Sequence, residues 1–254
     1  MKHELKKEGE FSYIEVGEGT PIIILHGLMG GLSNFEGVTH FFSEKGYKVV
    51  IPELPIYSMS LLKTNVKTFA KYLHDFIEFK GYEEVIVLGN SLGGHIGLLH
   101  NKLYPEKVKA LVITGSSGLY ESAMGSSYPR RGDYEVIKKK AQEVFYDPKI
   151  ATKEIVDEVF ATINDRNKLI KTLSIAKSAI RHNMGKDLPK MMTPTCIIWG
   201  KNDTVTPPVV AKEFHEKLPD SDLFWIDKCG HAAMMEHPDE FNQILQKWLT
   251  DRKY

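Results

Sequence analysis

Three short stretches, far apart along the chain, hold residue types that can do nucleophilic chemistry together. The first is Gly89-Asn90-Ser91-Leu92-Gly93. It follows the apolar run Val85-Ile86-Val87-Leu88 and precedes a segment that reads as a helix from Leu92 to about Tyr104. A strand, a sharp turn bearing a serine and then a helix is the G-x-S-x-G elbow in its diagnostic context. So tight a turn holds Ser91 in a strained backbone conformation, and glycines at 89 and 93 let neighbouring chain pass close by. A serine hydroxyl is a weak nucleophile at neutral pH and needs a base, most often a histidine oriented by a carboxylate. Gly200-Lys201-Asn202-Asp203 and Lys228-Cys229-Gly230-His231 each follow an apolar run. They supply Asp203 and His231 in the chain order serine, acid, histidine. The pentapeptide alone could arise by chance in a chain with 20 glycines; three such groups at three strand ends could hardly do so.

A tetrahedral intermediate also needs donors for its oxyanion. The backbone N–H of Leu92 opens a helix and points toward the serine. The second donor falls in the loop after His26-Gly27, on Leu28, or on Met29 if the loop is wound differently. His26 reads as a turn residue, His95 as a packing residue on the helix after the elbow, and His237 as the residue that starts the helix at Pro238. No pair of side chains has metal-ligand spacing, so neither metal nor cofactor is expected. Of the two cysteines, Cys196 lies in an apolar run and reads as a small buried hydrophobe. Cys229, two residues before His231, could take a redox role only with a resolving partner, and none is near in sequence.

The elements that must position these groups alternate between strand and helix. Phe11–Val16 reads as a strand with a turn at Gly17-Glu18-Gly19. Pro21–Leu25, Lys48–Ile51, Val85–Leu88 and Ala110–Ile113 read as strands buried on both faces. Val66, Phe69, Leu73, Phe76 and Ile77 mark a helix that stops at Gly81. After Gly115 the alternation breaks. Residues 116–132 are rich in Gly and Ser, and three apolar stripes follow: Ile137, Ala141, Val144 and Phe145; Ile155, Val159, Phe160 and Ile163; Leu169, Ile170, Leu173 and Ala176. The alternation returns with a strand at Thr195–Gly200, a helix from about Pro208 to Leu218, a strand at Leu223–Ile226 and a helix from about Pro238 to Leu249. This predicts an α/β fold: a mostly parallel central sheet with helices on both faces and an inserted helical cap. Residues 1–115 and 191–254 form the core and 116–190 the cap over the active edge. Right-handed crossovers place the strand C-termini, and with them Ser91, Asp203 and His231, along one edge.

The chain has 254 residues, with 33 basic and 33 acidic side chains. A formal net charge of zero offers nothing to steer it to nucleic acid or an anionic membrane. No apolar run approaches a membrane span, and the charged start, Met1 to Glu10, lacks the apolar core of a signal peptide. A cytoplasmic location and a small-molecule substrate are the resulting expectations. Composition says nothing about oligomeric state.

These residues resemble the α/β-hydrolase fold family over nearly the whole chain. The resemblance rests on His26-Gly27-Leu28-Met29-Gly30, Gly89 to Gly94, Tyr104-Pro105-Glu106-Lys107-Val108, Trp199 to Asp203, and Gly230-His231 with Glu236-His237-Pro238. Within that family the chain looks most like the carbon–carbon bond hydrolases of ring meta-cleavage products, on Gly89-Asn90-Ser91 and on Lys228 through His237. That resemblance implies an arginine from between cap and core, and Arg181 stands about where it would fall. Three features depart from it. The loop after Gly27 is Leu28-Met29-Gly30-Gly31 rather than Ser-Gly-Pro-Gly, Ala232 replaces the aromatic residue after the histidine, and Pro52 to Ser58 lacks a Gly-x-Gly.

The first expectation is therefore a serine hydrolase of small carboxylic esters, with Ser91 as nucleophile, His231 as base and Asp203 as orienting acid. Tyr120, Phe145, Phe160, Met124, Met184, Met234 and Met235 are available to wall a pocket, with Met29 and Arg181 as substrate contacts. Alternatives are cleavage of a C–C bond beside a ketone in a dienoate, which calls for a cationic anchor, and a ligand receptor that keeps the triad without turnover. A haloalkane dehalogenase is disfavoured, because its nucleophile is a carboxylate.

Overall fold

The computed structural model describes residues 3–120 and 132–254. Among these residues eight strands form one sheet: β1 (Lys6–Glu8), β2 (Phe11–Val16), β3 (Thr20–Leu25), β4 (Tyr47–Pro52), β5 (Val85–Asn90), β6 (Val108–Thr114), β7 (Thr195–Gly200) and β8 (Ser221–Ile226). Their order is β1-β2-β4-β3-β5-β6-β7-β8. β2 pairs antiparallel with β1 and β4, and every pairing from β4 to β8 is parallel. Among the described residues nine α-helices connect them: α1 (Glu36–Ser43), α2 (Val66–Phe79), α3 (Leu92–Leu103), α4 (Tyr134–Gln142), α5 (Lys153–Asn164), α6 (Arg166–Arg181), α7 (Pro208–Lys217), α8 (Ala233–Glu236) and α9 (Pro238–Asp251).

The apolar runs are continuous because both sheet faces are covered, and successive side chains point to opposite faces. Ile23, Leu25, Val87, Leu111, Ile197 and Trp199 pack with α2, α3 and α7. Ile22, Ile24, Leu88, Val112, Cys196 and Ile198 pack on the other side with α1 and α9. Two elements escape the sequence pattern. β1 is a charged edge strand, Lys-Lys-Glu, with no apolar alternation to read. α1 is only eight residues long with Gly37 inside it, yet it buries Val38, Thr39 and Phe42.

Between β6 and β7 the described residues form helices and no strand. α4 ends at Gln142, so Val144 and Phe145 of the first stripe lie beyond it in the loop. In α5 the fully buried residues are Val156 and Ile163. In α6 the buried face is Thr172, Ile175, Ala176 and Ala179, while Ile170 and Leu173 of the expected stripe are exposed. The small side chains let α6 approach the segment before α2. There Ser178 Oγ accepts from Val66 N–H at 3.2 Å and Ser174 Oγ donates to Thr64 O at 3.3 Å.

α3 carries two fully buried histidines, His95 and His100. Burial pushes each down to about 3, helped by nearby His182 for His95 and His74 for His100. Among the described residues neither ring nitrogen of His100 meets a hydrogen-bond partner. The folded protein therefore holds both rings neutral, whereas the unfolded chain takes up protons below its ordinary histidine value of about 6.5. Between about 6.5 and about 3 the unfolded state binds more protons, so stability falls with falling pH. Each histidine contributes at most about 1.4 kcal/mol per pH unit. Urea titrations at pH 7 and pH 5 check this. The expected result is a clear loss of stability at pH 5, with a shallower loss in His100→Leu. Equal stability at the two pH values would contradict it.

Candidate active site

β5 ends at Asn90, and Ser91 stands between it and α3 with φ 54 and ψ −118. That is a left-handed conformation for a non-glycine residue, costing roughly 1–3 kcal/mol. The backbone is held there from three sides. Ser91 N–H donates to Thr114 O at 3.1 Å, and Ser91 O accepts from the N–H of His95 at 3.2 Å and of Ser117 at 3.1 Å. The close approach that needs glycine is at Gly93, where a Cβ would lie 2.1 Å from Leu25 O. The elbow is thus pressed against the end of β3.

Asp203 and His231 lie in the loops after β7 and β8. His231 Nδ1 lies 2.9 Å from Asp203 Oδ2, and both residues are buried. The other Asp203 oxygen, Oδ1, accepts from the N–H of Val205 at 2.8 Å and of Thr206 at 2.9 Å. The elbow and the histidine loop touch. Asn90 Nδ2 donates to Thr114 O at 3.1 Å and to His231 O at 3.2 Å. Gly115, with φ +52, lies so close to the imidazole that a Cβ there would meet His231 Nδ1 at 2.8 Å. Ser91, Asp203 and His231 therefore follow the C-terminal ends of β5, β7 and β8, at one edge of the sheet.

The loop after β3 turns tightly. Gly30 N–H donates to Gly27 O at 3.1 Å, and Met29 has φ 58. This turn and Ala232 wall a cavity of about 140 Å³ with Val144, Phe145, Ile155 and Val159. Lys140 and Glu158 also reach its wall, as does Met235. A larger chamber of about 350 Å³ shares Met29, Gly30 and Glu158 with it and adds His26, Tyr57 and Lys168. Leu92 heads α3, so its N–H is one of the helix's first four, which have no intrahelical acceptor.

Not every expected contact reaches this space. Arg181 is exposed at the last residue of α6. Its neighbour His182, not Arg181, turns inward, with Nδ1 3.1 Å from His95 Nε2. Of the suggested wall residues, Phe145 and Met235 line the cavity, while Met184 and Met234 are core. Phe160 packs edge-on against Tyr134, and Tyr120 is exposed. Met124 lies outside the described residues. His26 is buried and donates from Nδ1 to Gly27 O at 2.9 Å, and burial lowers its pKa. His237 stands at the N-cap position of α9, and its Nε2 lies 3.0 Å from Lys228 O in the loop before it. Cys196 and Cys229 are free and fully buried, and burial raises both thiols, so neither is poised for redox chemistry. Among the described residues, no group of three or more His, Cys, Asp or Glu side chains could hold a metal ion, and no helix is long and apolar enough to cross a membrane.

Two supporting residues were not singled out from sequence. Thr206, three residues past Asp203, hydrogen-bonds both Asp203 and His231. A turn closed on an aspartate side chain was the only available signal. Glu236 ties the histidine loop to the stretch after α4. Its Oε1 accepts from Gly230 N–H at 2.6 Å and its Oε2 from Tyr146 N–H at 2.8 Å. Glu236 was visible only as part of the Glu-His-Pro resemblance.

A mostly parallel sheet with helices on both faces and a serine elbow at the C-terminal end of its central strand defines an α/β hydrolase. The chain belongs to the α/β-hydrolase fold family, whose sequence pattern matches residues 20–144. A solved α/β-hydrolase enzyme, MGS-MChE2, from a sediment metagenome of the lagoon of Mar Chica, Morocco, is 64% identical, spans 99% of this chain and 100% of its own, and superposes with a TM-score of 0.83. The 2-hydroxy-6-oxo-6-(2'-aminophenyl)hexa-2,4-dienoic acid hydrolase of Metapseudomonas resinovorans is 29% identical over 96% of this chain and 88% of its own. The 2-hydroxy-6-oxononadienedioate/2-hydroxy-6-oxononatrienedioate hydrolase of a Pseudomonas species is 27% identical over 95% and 92%.

Proposed function

We propose that this chain hydrolyses an activated carbonyl compound through Ser91, His231 and Asp203, and that the bond it breaks is the C–C bond beside the ketone of a 2-hydroxy-6-oxo-dienoate. The observation that carries the chemistry is the buried Asp203–His231 pair, 2.9 Å apart, against an elbow serine at φ 54. The choice of bond is supported by the dienoate hydrolases that align along nearly the full chain, and it displaces the ester reading as the first choice. Ser91 Oγ adds to the ketone carbon while His231 Nε2 takes its proton, and Asp203 keeps the Nδ1–H tautomer in place. The N–H groups of Leu92 and Leu28 hold the oxyanion. The leaving carbon departs as a dienolate once C5 has gained a proton as the 2-hydroxyl loses one; collapse then breaks the C5–C6 bond, the dienolate takes the proton held by His231, and water releases the acyl group from Ser91. Residues 116–190 act as the cap, with α4 and α5 forming the outer wall over Leu28 and Met29.

Ester hydrolysis is the second reading. It is favoured by the apolar lining of the smaller cavity and by Arg181 standing exposed rather than on that wall. A substrate panel separates the two: a 2-hydroxy-6-oxo-dienoate, followed by loss of its absorbance, beside p-nitrophenyl esters of increasing acyl length. The expected result is a kcat/KM for the dienoate roughly a hundred-fold above the best ester. The reverse ranking would assign the protein as an esterase.

A further inference from the structure

We propose that Thr206 is a positioning residue of the acid–base pair, its hydroxyl setting how strongly Asp203 pulls on the proton of His231. The inference rests on the assignment of Asp203 and His231 to catalysis. Thr206 is only 1% exposed, and Trp199 Nε1 donates to its carbonyl at 2.9 Å, fixing the backbone. Its Oγ1 lies 2.9 Å from Asp203 Oδ2 and 3.2 Å from His231 Nδ1. Asp203 Oδ2 is itself 2.9 Å from His231 Nδ1. The three atoms form a closed triangle. The hydroxyl donates to Oδ2, and the Nδ1–H of the imidazole is shared between Oδ2 and the lone pair of Oγ1.

A carboxylate offers about four lone-pair sites. Asp203 fills that number with the N–H groups of Val205 and Thr206 on Oδ1 and with Thr206 Oγ–H and His231 Nδ1–H on Oδ2. Removing the hydroxyl leaves a buried carboxylate oxygen one donor short, which is costly in a site closed to water. The deficit falls on the oxygen that faces the imidazole, so Oδ2 draws harder on the Nδ1 proton and favours the charged ring. The ring also loses its second acceptor, which limits rotation about its outer bonds. The hydroxyl thus tempers the acid and steadies the base.

The test uses the full chain with p-nitrophenyl butyrate as probe and compares parent, Thr206→Val, Thr206→Ser and Ser91→Ala. In Thr206→Val, kcat falls about ten-fold with KM unchanged, and the acid limb of the kcat/KM–pH profile moves to higher pH. Thr206→Ser, which keeps the hydroxyl, restores both. If Thr206→Val does not accumulate as folded protein, Thr206→Ala carries the same readout. Equal losses in the Val and Ser variants with an unmoved pH limb would reduce Thr206 to a packing role and overturn the proposal, as would unchanged kcat in Thr206→Val. Normal turnover by Ser91→Ala would remove the catalytic assignment itself and the proposal with it.

Discussion

Ser91→Ala is expected to fold as the parent does and to lose turnover by a factor between roughly a thousand and a million. The fold should survive because the contacts that hold the elbow use the Ser91 backbone, its N–H to Thr114 and its carbonyl to His95 and Ser117. Alanine keeps that backbone and its strain. The chemistry should not survive, because alanine removes the hydroxyl that the proposed mechanism uses as its nucleophile. A remnant of about a thousand-fold over water can persist from binding and oxyanion donors alone. Asp203→Ala should cost less than loss of Ser91 or His231. Turnover on the preferred substrate, with thermal melting as a control for folding, checks both. Near-parent activity in folded Ser91→Ala would refute the assignment.

Gly93→Ala is expected to be the most damaging single methyl group that can be added at the elbow. Its Cβ would sit 2.1 Å from Leu25 O, 2.5 Å from Leu25 C and 2.9 Å from His26 O. All three are backbone atoms at the end of β3, so no side chain can swing away. The elbow would have to lift from the sheet, or β3 from β5, against a ladder that pairs Leu25 with Gly89. A displacement of this kind costs about 3 kcal/mol or more, a large share of a typical stability of about 5–15 kcal/mol. For a chain of this length the melting temperature should drop by roughly 10 °C. Activity should fall further than stability alone explains, because the shift separates Ser91 from the loop that carries Leu28. A melting temperature within 2 °C of the parent, on the scale of measurement scatter, would show that the contact is more yielding than its geometry implies.

The candidate site was legible because its residues follow the ends of apolar strands. Val85–Leu88, Thr195–Gly200 and Leu223–Ile226 announce themselves as apolar runs, and each is followed within five residues by one of the candidate site residues Ser91, Asp203 and His231. A parallel sheet leaves those ends at one edge whatever the intervening segments do. The helical segment was legible as helices but not in its orientation. In α6 Ile170 and Leu173 face out, while Thr172, Ile175, Ala176 and Ala179 face in, where the neighbouring segment from Tyr57 to Val66 comes close. The stripe read from periodicity, Leu169, Ile170, Leu173 and Ala176, is rotated from the buried face and shares only Ala176 with it. Arg181 was placed by resemblance alone, and one position along a helix end decided that His182 rather than Arg181 turns inward. Thr206 and Glu236 act through hydrogen bonds to residues 25 and up to 90 positions away, which no local pattern encodes.

The most direct measurement is covalent. Treated with a fluorophosphonate, which phosphonylates activated serines, and then digested for peptide mass mapping, the protein should carry a single adduct on Ser91. That adduct should be absent from Ser91→Ala and form far more slowly in His231→Ala. An adduct on any other residue, or equal labelling of the parent and Ser91→Ala, would contradict the account.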